Sequence, residues 1–274
     1  MRRLFRTPCY VLLAGSAFAY FWAGAALMSW VRLPLRSLWL RDDRRLRDEA
    51  QRGIQRAFRR FLHLIRVAGF IDVDPRRHVV PTGRAPEVLV ANHPTLIDAV
   101  ALLATHDKTC CVVKGSIFNG LLAGRLLRYA GHIDGGTGDT ESVRRLLELG
   151  VDRLREGYSV LIFPEGTRSP AGAMHAFRRG AFELAARSGA SVQPVLIRCE
   201  PPTLTRDMKW YRVPRVFARY RLERLSPVGV DRGRACARQA ASTVRAALMA
   251  KLAEGPGSRQ QPEAQTETLA MEIA

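Results

Sequence analysis

Residues 88–102 read VLVANHPTLIDAVAL. An apolar run ends at Asn92 and His93, Pro94 follows, and Asp98 stands five residues after the histidine. A short apolar run closed by turn residues reads as a buried strand, and proline suits the first turn of a following helix. A chemical reading sits beside that structural one. From a strand exit, His93 could turn one ring nitrogen to Asp98 and leave the other facing a cleft. The competing reading is a helix-entry residue and a solvated charge. An HxxxxD spacing alone does not choose between them.

Working outward, the strand–helix alternation continues. EVLVA at 87–91, TCCVV at 109–113, SVLIF at 159–163 and SVQPVLIRC at 191–199 read as strands, with GHID at 131–134 as a short one. Helical patterns fill 95–105, 117–129, 140–156 and 180–189, the last ending at Gly189. RVFARYRLERL within the irregular 201–230 segment is strand-like, and 231–252 reads as helix. Apolar strands alternating with helices predict an α/β fold with a mixed, largely parallel sheet flanked by helices. Pro194 inside its strand predicts a bulge or an edge position, because proline lacks a ladder donor.

The chain has 274 residues and a formal net charge of +18, which draws it to anionic partners. Four lysines stand against 43 basic residues in all, so 39 are arginine, a bias that genome composition also produces. Five scattered cysteines without a CxxC spacing predict neither a disulfide framework nor a zinc site. Residues 9–31 carry no charge and, as a helix, extend roughly 34 Å, enough for a hydrocarbon core of about 30 Å. Tyr10 and Trp30 suit interfacial anchors. A secretory signal competes, but the apolar run exceeds the usual length of about 7–15 residues. Ten arginines from Arg32 to Arg60 against four acids place the main domain on the cytoplasmic side. Residues 42–67 then read as a basic amphipathic helix, with Leu46, Ala50, Ile54, Phe58, Phe61, Leu62 and Ile65 on one face. That face serves either a lipid surface or the domain core. The predicted division is 1–67 as membrane anchor and basic helix, 68–253 as the main domain, and 254–274 as a disordered tail.

In open α/β sheets, ligands bind beyond the carboxyl ends of the strands. FPEGTRS at 163–169 lies at that edge as well as NHPTLID. Gly166 lets backbone approach a ligand, Thr167 and Ser169 offer hydroxyls, and Arg168 can grip a phosphate. The plainer alternative is a polar turn with a Glu165–Arg168 pair.

NHPTLID, FPEGTRS and VQPVLI, in this order and spacing, resemble three of the four motif blocks of the glycerolipid acyltransferase superfamily, which includes 1-acylglycerol-3-phosphate acyltransferases. The similarity spans roughly residues 85–200 and takes in the basic FRRGAF at 177–182. The resemblance implies a membrane enzyme of phospholipid biosynthesis, with its domain on the cytoplasmic side of the inner membrane. It would move an acyl group from acyl-CoA or acyl carrier protein to a lysophospholipid hydroxyl. It implies His93 as base, Asp98 as its partner, and Asn92 and Pro94 as shapers of the turn. Glu165, Gly166, Thr167 and Arg168 would hold the acceptor, and Pro194 would support the site. No cofactor beyond the thioester co-substrate, no metal and no nucleic acid is expected. One block departs: Gly135 stands where the family carries a phosphate-contacting arginine, so Arg125, Arg128 or Lys114 would substitute, or the acceptor differs. Acyl transfer to another acceptor, such as a lyso-ornithine lipid, is one alternative. A non-catalytic basic binder of membrane or nucleic acid is another. His132 reads as a satisfied loop residue rather than a second catalytic group.

Overall fold

The structure is a computed structural model that describes residues 6–40, 42–73, 85–208 and 217–255. Most of the predicted disordered tail, and part of the 201–230 segment, lie outside the described residues. Seven strands form one sheet in the order β1-β7-β6-β2-β5-β3-β4. They are β1 (Ile71–Asp72), β2 (Val88–Ala91), β3 (Thr109–Val113), β4 (Ile133–Asp134), β5 (Ser159–Ile162), β6 (Val192–Glu200) and β7 (Ala218–Arg224). Every pairing is parallel except β6 with β7. The expected mixed, largely parallel sheet is therefore present.

The apolar runs are explained by burial on both faces. In β2, Leu89 and Ala91 face a core shared with α3 (Asp43–Val67) and α4 (Asp98–Thr105). Val88 and Val90 face α7 (Thr140–Arg155), α8 (Gly180–Ser188) and α9 (Arg234–Ala253). Asp42 caps α3 by accepting from the backbone N–H groups of Arg44 and Arg45. α8 ends at Gly189 in the left-handed conformation, φ 76°.

Two expectations change. Residues 117–129 form two short helices, α5 (Gly115–Phe118) and α6 (Gly124–Tyr129), not one. The chain turns at Asn119–Gly120, and a Cβ on Gly124 would lie 2.6 Å from the Phe118 carbonyl, so the close approach needs glycine. The expected bulge is present, because the pairing of this strand slips by one residue between Val195↔Arg224 and Val192↔Val228, but Pro194 is not at an edge, since β6 lies between β2 and β7. Its missing N–H would have met the Leu225 carbonyl. Gln193 Nε2 donates to that oxygen at 2.7 Å instead, while Leu225 N–H donates to the Pro194 carbonyl at 3.0 Å. Phe61, Leu62 and Ile65 of α3, before the division expected at residue 67, pack against the sheet. The amphipathic face of α3 therefore belongs to the domain, with Arg52, Arg56 and Arg60 exposed on the other side.

The N-terminal helix α1 (Arg6–Leu27) continues through a π-helical turn at Met28–Arg32 into α2 (Leu33–Ser37). It lies antiparallel along α3. Phe18 and Phe21 meet Phe61, Phe21 stacks on Phe58 at 5.6 Å, and Arg36 pairs with Glu49 at 3.0 Å. The π turn turns Ser29 into the domain, where its Oγ donates to the Leu122 carbonyl at 2.9 Å. Val11–Ser37 is long and apolar enough to cross a membrane, with 17% of its most apolar window buried. Leu12, Leu13, Leu27, Trp30, Leu35, Leu38 and Trp39 stay exposed.

His132, just before β4, is buried, and its Nδ1 accepts the Cys111 N–H at 2.8 Å. Among the described residues its Nε2 has no hydrogen-bond partner, so it is less satisfied than expected. Burial lowers its pKa from 6.5 to about 4. The unfolded chain therefore takes up this proton first. The stabilising contribution is complete above pH 6.5 and is lost as pH falls toward 4. Between pH 7 and pH 4, the wild type should lose about 2–3 kcal/mol more unfolding free energy than His132→Gln. Urea titrations at each pH read this difference, and parallel losses would refute it.

Candidate active site

The carboxyl ends of β2, β3, β4 and β5 share one edge because these strands are parallel. This brings Asn92–His93, Lys114, Gly135 and the 163–169 loop to the same edge. Asn92 is buried and extends the ladder with its side chain. Its Oδ1 accepts the Ile197 N–H at 2.7 Å, and its Nδ2 donates to the Ile197 carbonyl at 2.9 Å. An amide carries both a donor and an acceptor, so it stands in for a backbone unit where the strand ends.

His93 leaves that strand end with its side chain 22% exposed, and its Nδ1 meets Asp98 Oδ2 at 2.7 Å. Its ring stacks on Phe163, with centroids 4.3 Å apart. Asp98 is fully buried and has no basic partner other than His93 among the described residues. Hydrogen bonds hold its charge instead. Oδ2 also accepts the Thr95 N–H at 2.7 Å, and Oδ1 accepts the Thr95 hydroxyl at 2.5 Å and the Tyr220 hydroxyl at 2.9 Å. Burial, with Asp98 beside it, pushes the Tyr220 phenol well above its usual range, so it remains a donor. Burial and then Asp98 push the Cys199 thiol to about 12, which makes it inert as a nucleophile. An Nδ1 proton held by Asp98 leaves Nε2 as an acceptor, and Nε2 has no protein partner among the described residues. The geometry is that of a histidine oriented by a buried carboxylate, the arrangement a general base requires.

The second loop is stitched to the first. His93 N–H donates to Ser169 Oγ at 2.9 Å and to Glu165 Oε1 at 3.2 Å, and Ser169 N–H returns to the His93 carbonyl at 2.7 Å. Glu165 is buried, with its carboxylate also taken by the Ser169 hydroxyl (2.5 Å) and the His175 N–H (2.8 Å). Glu165 thus clamps the loop, with both carboxylate oxygens taken by donors of the protein. It does not pair with Arg168. Arg168 Nη1 donates to the carbonyls of Leu204 and Thr205, at 3.3 and 3.0 Å. Thr167 Oγ1 lies 3.5 Å from Arg206 Nη1. Gly166 adopts φ +69°, and a Cβ there would lie 3.0 Å from the Arg178 guanidinium carbon. Arg178 and Arg206 form no ion pair among the described residues, so cations gather at this loop that its motif did not announce. Only the basic run FRRGAF signalled Arg178.

Pro94 does not open the helix as expected: α4 begins at Asp98 with Ile97 at its N-cap, and Pro94 lies in the irregular stretch before it. Pro194 pairs with Val90, two residues before Asn92, so from β6 it is Ile197 that reaches the site. Gly135 N–H donates to the Val113 carbonyl at 2.8 Å, and a Cβ at 135 would lie 3.1 Å from that oxygen. Of the three cations considered as substitutes for an arginine there, two are turned elsewhere. Arg125 stacks on Trp30 at 4.8 Å, and Arg128 lies 5.7 Å from the Phe118 ring. Lys114 follows β3 directly, is exposed, and forms no ion pair among the described residues.

Fold and site together define an α/β protein with a carboxylate-oriented histidine and a basic loop at the carboxyl edge of its sheet. Comparison with known proteins shows what the chain is similar to. Residues 70–198 match the model of the Acyltransferase family, so the resemblance to glycerolipid acyltransferases holds over this stretch. Over 118 residues the chain is 32% identical to a chloroplastic 1-acyl-sn-glycerol-3-phosphate acyltransferase of Arabidopsis thaliana, covering 43% of this chain and 33% of that protein. It is 32% identical over 142 residues to the mouse (Mus musculus) 1-acyl-sn-glycerol-3-phosphate acyltransferase alpha, covering 50% of this chain and 47% of that protein. The chain thus spans between a third and a half of the length of these curated relatives. The fold matches the crystal structure of the 1-acyl-sn-glycerophosphate acyltransferase PlsC of Thermotoga maritima with a TM-score of 0.67. That match has 20% identity and covers 95% of this chain and all of the other.

Proposed function

We propose that the protein is a membrane-associated O-acyltransferase that esterifies the free hydroxyl of 1-acylglycerol-3-phosphate. The observation that carries this reading is the 2.7 Å His93–Asp98 contact, with Nε2 left to accept a proton at the sheet edge. In the reaction, Nε2 takes the acceptor's hydroxyl proton as its oxygen bonds to the thioester carbonyl carbon. The carbonyl π pair moves to oxygen. On collapse that pair returns, the C–S bond breaks, and the imidazolium gives its proton to the departing thiolate. Asp98 stabilises the imidazolium between these events. The thioester, on coenzyme A or acyl carrier protein, arrives already activated, so no further cofactor is assigned.

We assign the acceptor phosphate to the cations of this sheet edge and its loop, Lys114, Arg168 and Arg178. Lys114→Gln should raise KM for 1-acylglycerol-3-phosphate about tenfold and leave KM for the donor within twofold, as loss of one charged phosphate contact implies. Initial rates with each substrate varied in turn test this, and an unchanged acceptor KM would remove Lys114 from the site. Gly135 favours one second reading: the same chemistry on a different lysolipid, such as a lyso-ornithine lipid.

The N-terminal helix lies along α3 for most of its length, so a perpendicular crossing would drag the arginine face of α3 into hydrocarbon. It belongs instead in one leaflet, its exposed leucines and tryptophans inserted and the site at the headgroup level. Purified protein assayed with acyl-CoA and acyl carrier protein donors against a panel of lysolipids tests the whole reading. Ester formation read by mass spectrometry is expected to be fastest with 1-acylglycerol-3-phosphate. No ester with any acceptor would refute acyl transfer, and a faster phosphate-free acceptor would favour the second reading.

A further inference from the structure

A second polar cavity opens away from the His93 loops. It lies between α3 and α6, has a volume of about 390 Å³, and is lined by Asp43, Leu46, Arg47, Arg125, Arg128 and Tyr129. Neither residues 92–98 nor 163–169 contribute to it. Three guanidiniums face one carboxylate there. Arg47 is committed, with its Nη1 2.6 Å from Glu156 Oε2. Arg125 and Arg128 meet no carboxylate among the described residues. Arg125 lies over the Trp30 ring, and Arg128 lies over the Phe118 ring while donating to the Phe118 carbonyl. Stacking occupies the face of a guanidinium and leaves in-plane N–H groups for an oxyanion.

The surroundings say which oxyanion. Trp30 donates its indole N–H to the Leu121 carbonyl at 3.0 Å, and Leu121 and Trp39 are 75% and 83% exposed. Exposed tryptophan and leucine beside arginine mark the boundary between acyl chains and headgroups. A cavity that holds two guanidinium edges at this boundary meets phosphate at the depth where a bilayer presents it.

We propose that this cavity binds the phosphodiester headgroup of a bilayer glycerophospholipid through Arg125 and Arg128, with the lipid's chains passing along Trp30 and Leu121. This lipid is a bystander to the reaction, held while the acceptor occupies the His93 edge. It orients the sheet edge toward the surface from which the acceptor comes.

Flotation with vesicles of phosphatidylcholine tests the proposal, because this lipid has the phosphodiester but no net charge to attract the basic protein as a whole. Vesicles of an uncharged glycosyl diacylglycerol are the phosphate-free control. The double variants R125Q/R128Q and R125K/R128K should each bind phosphatidylcholine about tenfold more weakly than wild type, and the glycolipid equally well. Their turnover of micellar acceptor should be unchanged. The lysine pair keeps the charge and loses the fork, so wild-type binding by it would overturn the proposal in favour of diffuse attraction. Equal losses on both vesicles would reduce the arginines to props for Trp30. Release of wild type by inorganic phosphate at constant ionic strength would make this a free-anion site, and lost micellar turnover would make it part of the acceptor site. The vesicle measurements need no turnover, so they stand even if acyl transfer fails.

Discussion

His93→Ala should lower kcat for acyl transfer by about 10³-fold, within the range of about 10²–10⁴ that a positioned general base contributes. The substitution removes the Nε2 acceptor and leaves water to take the hydroxyl proton. It leaves the loop in place, because the hydrogen bonds that join residues 92–98 to 163–169 run through the His93 backbone, and only the ring's stacking on Phe163 is lost between them. Asp98 keeps three of its four donors: the Thr95 N–H, the Thr95 hydroxyl and the Tyr220 hydroxyl. The variant should therefore fold, losing about 1 kcal/mol for one hydrogen bond, and its KM values should stay close to wild type. Thiol release with saturating donor and acceptor measures the rate, and circular dichroism on heating checks the fold. A folded variant that turns over at the wild-type rate would remove His93 from the mechanism.

Asp98→Asn should cost about 10²–10³-fold in kcat with little change in acceptor KM. The amide matches the carboxylate in shape but carries no charge, so the imidazolium formed during transfer loses its buried counter-ion. If the amide NH2 faces His93 it donates to Nδ1, which forces the ring proton onto Nε2 and abolishes the base. If it faces Thr95 and Tyr220, it must displace hydroxyl donors that have no other acceptor as near. The carboxylate is fully buried, so the same change should also lower stability, by about 1–3 kcal/mol. Rate and stability separate the roles, since a purely structural aspartate would lower the melting temperature and leave kcat per folded molecule intact. Addition of imidazole to His93→Ala, but not to Asp98→Asn, should restore part of the lost rate, because only the first variant has a place for it.

Much of the sheet was legible. The strands at 88–91, 109–113, 159–162 and 192–200 are apolar because both faces are covered, and that need leaves an unbroken signature. Strand β1 was not legible: it is two residues long and exists by pairing with β7. The helical pattern at 117–129 misled, because its periodicity gives no sign of how closely Gly124 must approach the Phe118 carbonyl. Pro194 signalled the slip in pairing but not that its strand is internal. Proline forbids a ladder donor, but a neighbouring Gln193 amide can supply one, and which strand end that rescues is a matter of register.

The histidine–aspartate pair was legible because it is local. His93 and Asp98 lie on one strand exit and one helix start, so five residues of spacing suffice to bring them within 2.7 Å. The clamp made by Glu165 was not legible because its partners, the His93 and His175 N–H groups and the Ser169 hydroxyl, come from segments whose approach no spacing encodes. Tyr220 went unnoticed for the same reason, since it reaches Asp98 across 122 positions of sequence. The sequence by itself determined the α/β layering, the edge where the chemistry sits and the residues of the histidine–aspartate pair, because periodicity and short-range geometry act locally. Only the tertiary structure decided what holds Asp98 charged in the core, which way Glu165 and the arginines point, and that the apolar N-terminus lies along α3. Those depend on contacts between distant segments, which a pattern of residues along one chain leaves open.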